Sequence, residues 1–279
     1  MNEVHEANRR HWDSAADSWE ELREGDELWR RCPEQPGLAF DGGALDVIRK
    51  FVGDLVDKRV CVIGSGDNYA AFALAGMGAI VTSTDISERQ LHVAARRAEE
   101  LGLDIRFVRA DATDLRSLAE AEFDLVCSTN GFFVWIAEPA RVFSAVHGVL
   151  KPGGYCVLYD VHPFLRPWKD QTSPIEMAKP YFQTGPFKSD GPTGPTYEFH
   201  WILSDIVNAL SDSGLVLRRM AETPARDSRF WQDSSYLPGT DDGLLDWRRN
   251  PRAGLPVWLT LAAEKPGRDP SPAKTDGLV

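Results

Sequence analysis

Two glycines and a set of aspartates are spaced along this chain in a way that suits a nucleotide-like ligand. Gly64-Ser65-Gly66 follows directly on the apolar run Val60-Cys61-Val62-Ile63 and precedes an Ala/Leu-rich segment, residues 70–76. Such an order predicts a buried strand, a tight turn and a helix start. Glycine permits positive φ in the turn and clears side chains from a backbone that a ligand must approach. The free N–H groups of the helix start then face that ligand. Asp85 closes the next apolar run, about 20 residues past the glycines, where a carboxylate can accept both hydroxyls of a ribose. Asp111 closes the third run in Ala110-Asp111-Ala112. The ligand-side candidates are Gly64, Ser65, Gly66, Asn68, Asp85, Ile86, Asp111 and Ala112.

A second set could move protons. His162 lies in Tyr159-Asp160-Val161-His162-Pro163-Phe164, just past a fifth apolar run and fixed by the proline. His200, in Tyr197-Glu198-Phe199-His200-Trp201, is the alternative, and Asp160 stands beside the first as a third catalytic candidate. An imidazole with an ordinary pKa near 6.5 suits a base at neutral pH. Aromatic residues gather in Thr129-Asn130-Gly131-Phe132-Phe133-Val134-Trp135 and around Trp168, Trp201, Trp231 and Trp247. They suit either a pocket for a planar molecule or hydrophobic clusters under long loops.

The elements that must position these residues alternate. Strands are expected at 60–63, 79–84, 104–109, 123–128, 155–160, 215–220 and 257–263. Helices are expected at 8–22, 41–56, 88–101 (capped by Ser87 and closed by Gly102), 115–121, 139–150 and 203–213. That order reads as an α/β, doubly wound parallel sheet. Residues 1–265 form one domain, with 1–45 as an N-terminal lid carrying Trp12 and Trp19. Residues 163–199, rich in proline, glycine and aromatics, read as a substrate-side insertion. The polar tail, 266–279, reads as disordered.

Composition narrows the partners. With 31 Lys and Arg against 42 Asp and Glu the net charge is −11, and no basic block offers a nucleic-acid footprint. The charged start is unlike a signal peptide, and no apolar run is long enough for a bilayer. Four cysteines without a C-x-x-C pair argue against disulfide and zinc. A cytoplasmic protein, monomer or homodimer, with no metal and no membrane partner is the expectation.

Four of these places together resemble class I S-adenosylmethionine-dependent methyltransferases: Ile63-Gly64-Ser65-Gly66, Asp85, Ala110-Asp111-Ala112 and the turn Leu150-Lys151-Pro152-Gly153-Gly154. The resemblance covers about residues 8–265. It implies a mostly parallel seven-stranded sheet with helices on both faces and a last strand inserted antiparallel between five and six. It implies S-adenosyl-L-methionine as cofactor and S-adenosyl-L-homocysteine as product, with Asp111 reaching the adenine amino group and Trp19 of the lid on the cofactor side. Two positions depart from the family pattern: Val62 stands where an acidic residue is common, and Asn68 where a third glycine is common. The methionine amino group then falls to Asn130 or a carbonyl near Gly64. The implied activity is methyl transfer to a small acceptor, an aromatic or heteroaromatic (indole-like) natural-product intermediate, at C, N or O. The competing readings are an NAD(P)-dependent oxidoreductase, whose third turn glycine would fall on Tyr69, and a non-catalytic S-adenosylmethionine-binding protein.

Overall fold

The computed structural model describes residues 2–25, 27–40, 43–129, 131–170, 174–232 and 241–267. In chain order come α1 (Glu3–Glu24), α2 (Leu28–Arg31), α3 (Ala44–Val52), β1 (Arg59–Ile63), α4 (Tyr69–Gly76), β2 (Ile80–Asp85), α5 (Glu88–Glu100), β3 (Ile105–Arg109) and β4 (Phe123–Ser128). Then follow α6 (Pro139–Val149), β5 (Leu150–Val161), β6 (Phe187–Gly191), β7 (Gly194–Glu198), α7 (Leu203–Asp212), β8 (Val216–Thr223) and β9 (Trp258–Glu264). Seven strands form one sheet in the order β3-β2-β1-β4-β5-β9-β8. The first five run parallel, and β9 lies antiparallel to both β5 and β8.

The apolar runs are continuous because the strands are buried on both faces. Alternate residues divide between two cores. Val60, Val62, Leu125, Cys127, Val157 and Tyr159 pack on the face that carries α3 and α4. Cys61, Ile63, Val126, Cys156 and Leu158 pack on the other with Phe143 and Val146 of α6 and Ile206 and Leu210 of α7. Val62 is fully buried in the first core, which gives a physical reason for an apolar residue at that position. The four cysteines are buried free thiols, and burial pushes the Cys127 thiol up to about 12. Among the described residues no helix is long and apolar enough to cross a membrane.

Three expectations change. No helix forms over 115–121: Asp111 captures the Thr113 N–H at 3.0 Å, Asp114 N–H returns to the Asp111 carbonyl, and a segment this short cannot sustain a helix nucleus. The stretch 163–199 is not wholly irregular, since β6 and β7 pair as a hairpin. Helix α1 begins at Glu3, capped by Asn2, whose side chain accepts the His5 N–H at 2.8 Å. The expected disordered tail, apart from its first two residues, lies outside the described residues.

Candidate active site

The sheet order reverses between β1 and β4, where β1 is flanked by β2 on one side and β4 on the other. A crevice opens at the carboxyl ends of the strands at such a point. Here it is a cavity of about 950 Å³, running from Asp111 and Ile86 past the glycine turn to Tyr159, Phe230 and Trp258. Helix α1 lies along it with His5, Asn8, Trp12, Trp19 and Arg23 in the wall.

The glycine turn has the expected geometry. Gly64 and Gly66 take φ +55° and +47°. A side chain on Gly64 would collide with the Phe132 ring at 2.4 Å, whereas one on Gly66 would meet nothing within 4 Å. Gly66 therefore leaves space open beside the backbone, and Gly64 is small because Phe132 crosses it. Asp85 accepts the Gly66 N–H at 2.9 Å and the Ser87 N–H at 2.8 Å, so it braces both turns. A carboxylate has about four acceptor positions, which leaves capacity for a ligand. Burial pushes the Asp85 carboxyl up, and the hydrogen bonds from Ser87 and Gly66 pull it back.

Asn68 sits differently from expectation. It is fully buried in the left-handed region (φ 62°), donates to the Gly66 carbonyl at 2.7 Å and is not in the cavity wall. It holds the turn's shape from behind. Ser65 and Ala112 do line the cavity, with Ser65 Oγ accepting from Ser83 at 2.8 Å. Asn130 lies outside the described residues.

Two lining residues carry chemistry that sequence reasoning missed. His5 Nδ1 lies 2.9 Å from Asp111 Oδ2, and its Nε2 accepts the Ala137 N–H at 3.0 Å. Because the carboxylate only accepts, the proton belongs on Nδ1. Burial pushes the Asp111 carboxyl up, but bonds from His5 and Thr113 outweigh it and hold it below its usual value. Asp67, one residue past Gly66, accepts Trp19 Nε1–H at 2.6 Å and pairs with Arg23 at 2.7 Å. Burial pushes its carboxyl up against the pull of Arg23 and Trp19. The Asn cap at residue 2 was the available signal for His5, since it starts the helix one turn and a half earlier than residue 8.

Helix α1 is fastened along its length. The Asn8 amide donates to the Tyr197 carbonyl and accepts the Tyr197 N–H, both at 2.9 Å, so a side chain stands in for a strand partner of β7. Trp12 meets Trp135 edge-on at 5.2 Å. Asp17 and Glu20 each accept, with both carboxylate oxygens, from one terminal guanidinium nitrogen of Arg89 and Arg96 of α5. Each exposed pair contributes little alone, so buried His5 and Asn8 and the partly buried Trp12 carry most of the docking.

The proposed bases are elsewhere. His162 is buried, Nδ1 accepts the Phe164 N–H at 3.0 Å, Nε2 lies 2.8 Å from Glu222, and the ring is not in the cavity wall. His162 caps a turn instead of facing a ligand. Burial pulls its imidazole below the usual range against the opposing pull of Glu222. His200 and Asp160 line a separate space of about 20 Å³, room for about one water. Asp160 accepts backbone N–H groups of Gly131, Phe133 and Val161 at 2.7–2.8 Å and so anchors the loop after β4. Burial pushes its carboxyl up, with Arg166 opposing. Among the described residues there is no group of three or more His, Cys, Asp or Glu placed to hold a metal ion.

Residues 61–158 match the family described as "Methyltransferase domain". Over that segment the chain is similar to methyltransferase domains, and its fold is the one seen in S-adenosylmethionine-dependent methyltransferases. The chain is 34% identical over 101 residues to the ubiquinone biosynthesis O-methyltransferase of Thiobacillus denitrificans, covering 36% of this chain and 43% of that one. It spans about half the length of the curated relatives it matches. An S-adenosylmethionine-dependent methyltransferase from Mesorhizobium loti superposes with TM-score 0.59 at 24% identity, over 80% of this chain and 99% of that one. The [4+2]-cyclase SpnF superposes with TM-score 0.55 at 21% identity, over 80% of this chain and 79% of that one.

Proposed function

We propose that the protein transfers a methyl group from S-adenosylmethionine to a small planar acceptor, with a ring hydroxyl as the acceptor atom. The carrying observation is one cavity with a glycine turn and two strand-end aspartates at one end and three aromatic rings at the other. The relative named an O-methyltransferase supports the choice of oxygen over carbon or nitrogen. When bound, the cofactor supplies an electrophilic methyl on a sulfonium.

The chain's own residues supply alignment, which is most of what such a displacement needs. Asp85 keeps acceptor capacity for ribose hydroxyls, Asp111 for an adenine amino group, and Gly66 leaves room for the ligand against its backbone. Asp67 provides beside the turn the carboxylate that position 62 lacks, and the methionine amino group is its partner in this reading. Helix α1 excludes water over this half. His5, the histidine among the cavity-lining residues, has both ring nitrogens engaged. Proton loss from the hydroxyl therefore goes to solvent or to a carboxylate rather than to a free imidazole.

Binding is tested by thermal shift with S-adenosylhomocysteine against NAD. A ligand at 100 times its Kd adds about 2.7 kcal/mol, expected here for the first compound alone. Turnover is tested by a mass gain of one methyl across a panel of phenols, aromatic amines and indoles. Stabilisation by NAD alone would replace this reading with a dehydrogenase.

A further inference from the structure

We propose that the acceptor is a planar ring bearing an anionic group, carboxylate or phosphate, and that Arg226 is the residue that reads this charge. The inference rests on the methyl-transfer reading above and adds the substrate's charge to it.

The acceptor end of the cavity combines rings with cations. Tyr159 and Trp258 meet at 6.2 Å and 70°, and Phe230 and Trp258 at 5.1 Å and 66°. Tyr159 is held in place by its hydroxyl, which donates to the Ala39 carbonyl at 3.0 Å. Edge-to-face rings of this kind wall a slot that suits another planar group. Arg226 and Arg229 flank Asp227 in the loop after β8 and line the cavity together with Phe230, and Arg31 lines it as well. In a chain of net charge −11 the described cavity wall matches its four aspartates with four arginines.

The three arginines are not equivalent. Arg229 is committed to Asp227, with Nε 2.8 Å from Oδ2. Arg31 donates to the Gln35 side chain at 3.0 Å. Among the described residues the Arg226 guanidinium forms no ion pair or hydrogen bond, and it stands 3.9 Å from where a side chain on Gly43 would begin. Its donors form a planar fork suited to a carboxylate or phosphate. It belongs to the loop after β8, at the opposite edge of the sheet order from β2, which ends on Asp85, and β3, which precedes Asp111. A cation lining the cavity also draws anions toward it, an effect that salt weakens.

The test uses the full chain saturated with S-adenosylhomocysteine and follows tryptophan fluorescence. The probes are 4-hydroxybenzoate, 4-hydroxyphenyl phosphate and the uncharged methyl 4-hydroxybenzoate. At least one anion is expected to bind about 10–100-fold tighter than the ester, with the advantage shrinking as salt rises. The tighter anion identifies the group. In Arg226→Gln the advantage should vanish while S-adenosylhomocysteine affinity and ester binding stay unchanged. Equal binding of the three probes, binding of none, or an advantage that survives Arg226→Gln overturns the inference. Failure of S-adenosylhomocysteine to bind at all would instead overturn the methyl-transfer reading.

Discussion

The two ends of the cavity are built in different ways. At the β1–β3 end each ligand-facing group sits within a few residues of the strand that positions it: Gly66 after β1, Asp85 closing β2, Asp111 just past β3. Their backbones are held by parallel registers and by short turns such as Ser65 N–H to the Thr84 carbonyl at 3.0 Å. At the other end Leu38, Tyr159, Phe230 and Trp258 come from four separated segments, brought together by the β5–β9 ladder, the Tyr159 hydroxyl on the Ala39 carbonyl and side-chain packing. A local device can be recognised from a short stretch of sequence and tolerates change elsewhere. An assembled wall varies freely with its loops, which is how one fold serves both a methyltransferase and a cyclase among its structural relatives.

The largest expected effect comes from filling the local device. Gly66→Val projects its side chain into open cavity space at positive φ, so S-adenosylhomocysteine binding by calorimetry should fall below detection. The strain of a branched residue in that region costs on the order of 1–3 kcal/mol, so the variant remains folded. Gly64→Val is the poorer probe because it also displaces Phe132. Retained affinity in folded Gly66→Val would break the assignment of this end to the cofactor.

A smaller effect is expected from Asp85→Ala. It removes an acceptor shared by two backbone N–H groups and, in our reading, by the ribose. Affinity for S-adenosylhomocysteine should drop by about 1.5–3 kcal/mol, and urea unfolding without ligand should show a stability loss as well. Lost stability with unchanged affinity would make Asp85 a brace alone and sharpen the contrast between holding a turn and holding a ligand.

The smallest effect concerns His162, which belongs to neither end. Burial holds its folded pKa below the unfolded value of 6.5. The unfolded chain therefore binds the proton first, and stability should fall as pH drops through and below 6.5. His162→Gln should flatten that slope in pH-dependent melting while kcat and its pH profile stay as in the parent. Loss of an acidic limb in the pH–rate profile of the variant would return His162 to catalysis.

Much was legible in the chain because its signals are local. Val60 to Gly66 encodes strand and turn through burial on two faces and the need for positive φ, and Ser87 before α5 and Gly102 after it mark that helix by capping. Those rules act within a turn or two of the backbone, so a single sequence carries them. Asn68 shows where they stop: its type and place suggested a ligand contact, but only the fold shows that its side chain turns inward to Gly66. Asp160 near the end of β5 and His162 just past it likewise stand at a strand end of the right kind, yet the loop after β4 and Glu222 of β8 claim their polar atoms. The pairing of His5 with Asp111, 106 positions apart, and the meeting of Arg226 with Tyr159 and Trp258 around one cavity were decided by tertiary structure. Nothing in a residue's immediate neighbours specifies a partner that distant. It is the burial of both sheet faces that brings α1 and the loop after β8 over the same strand ends.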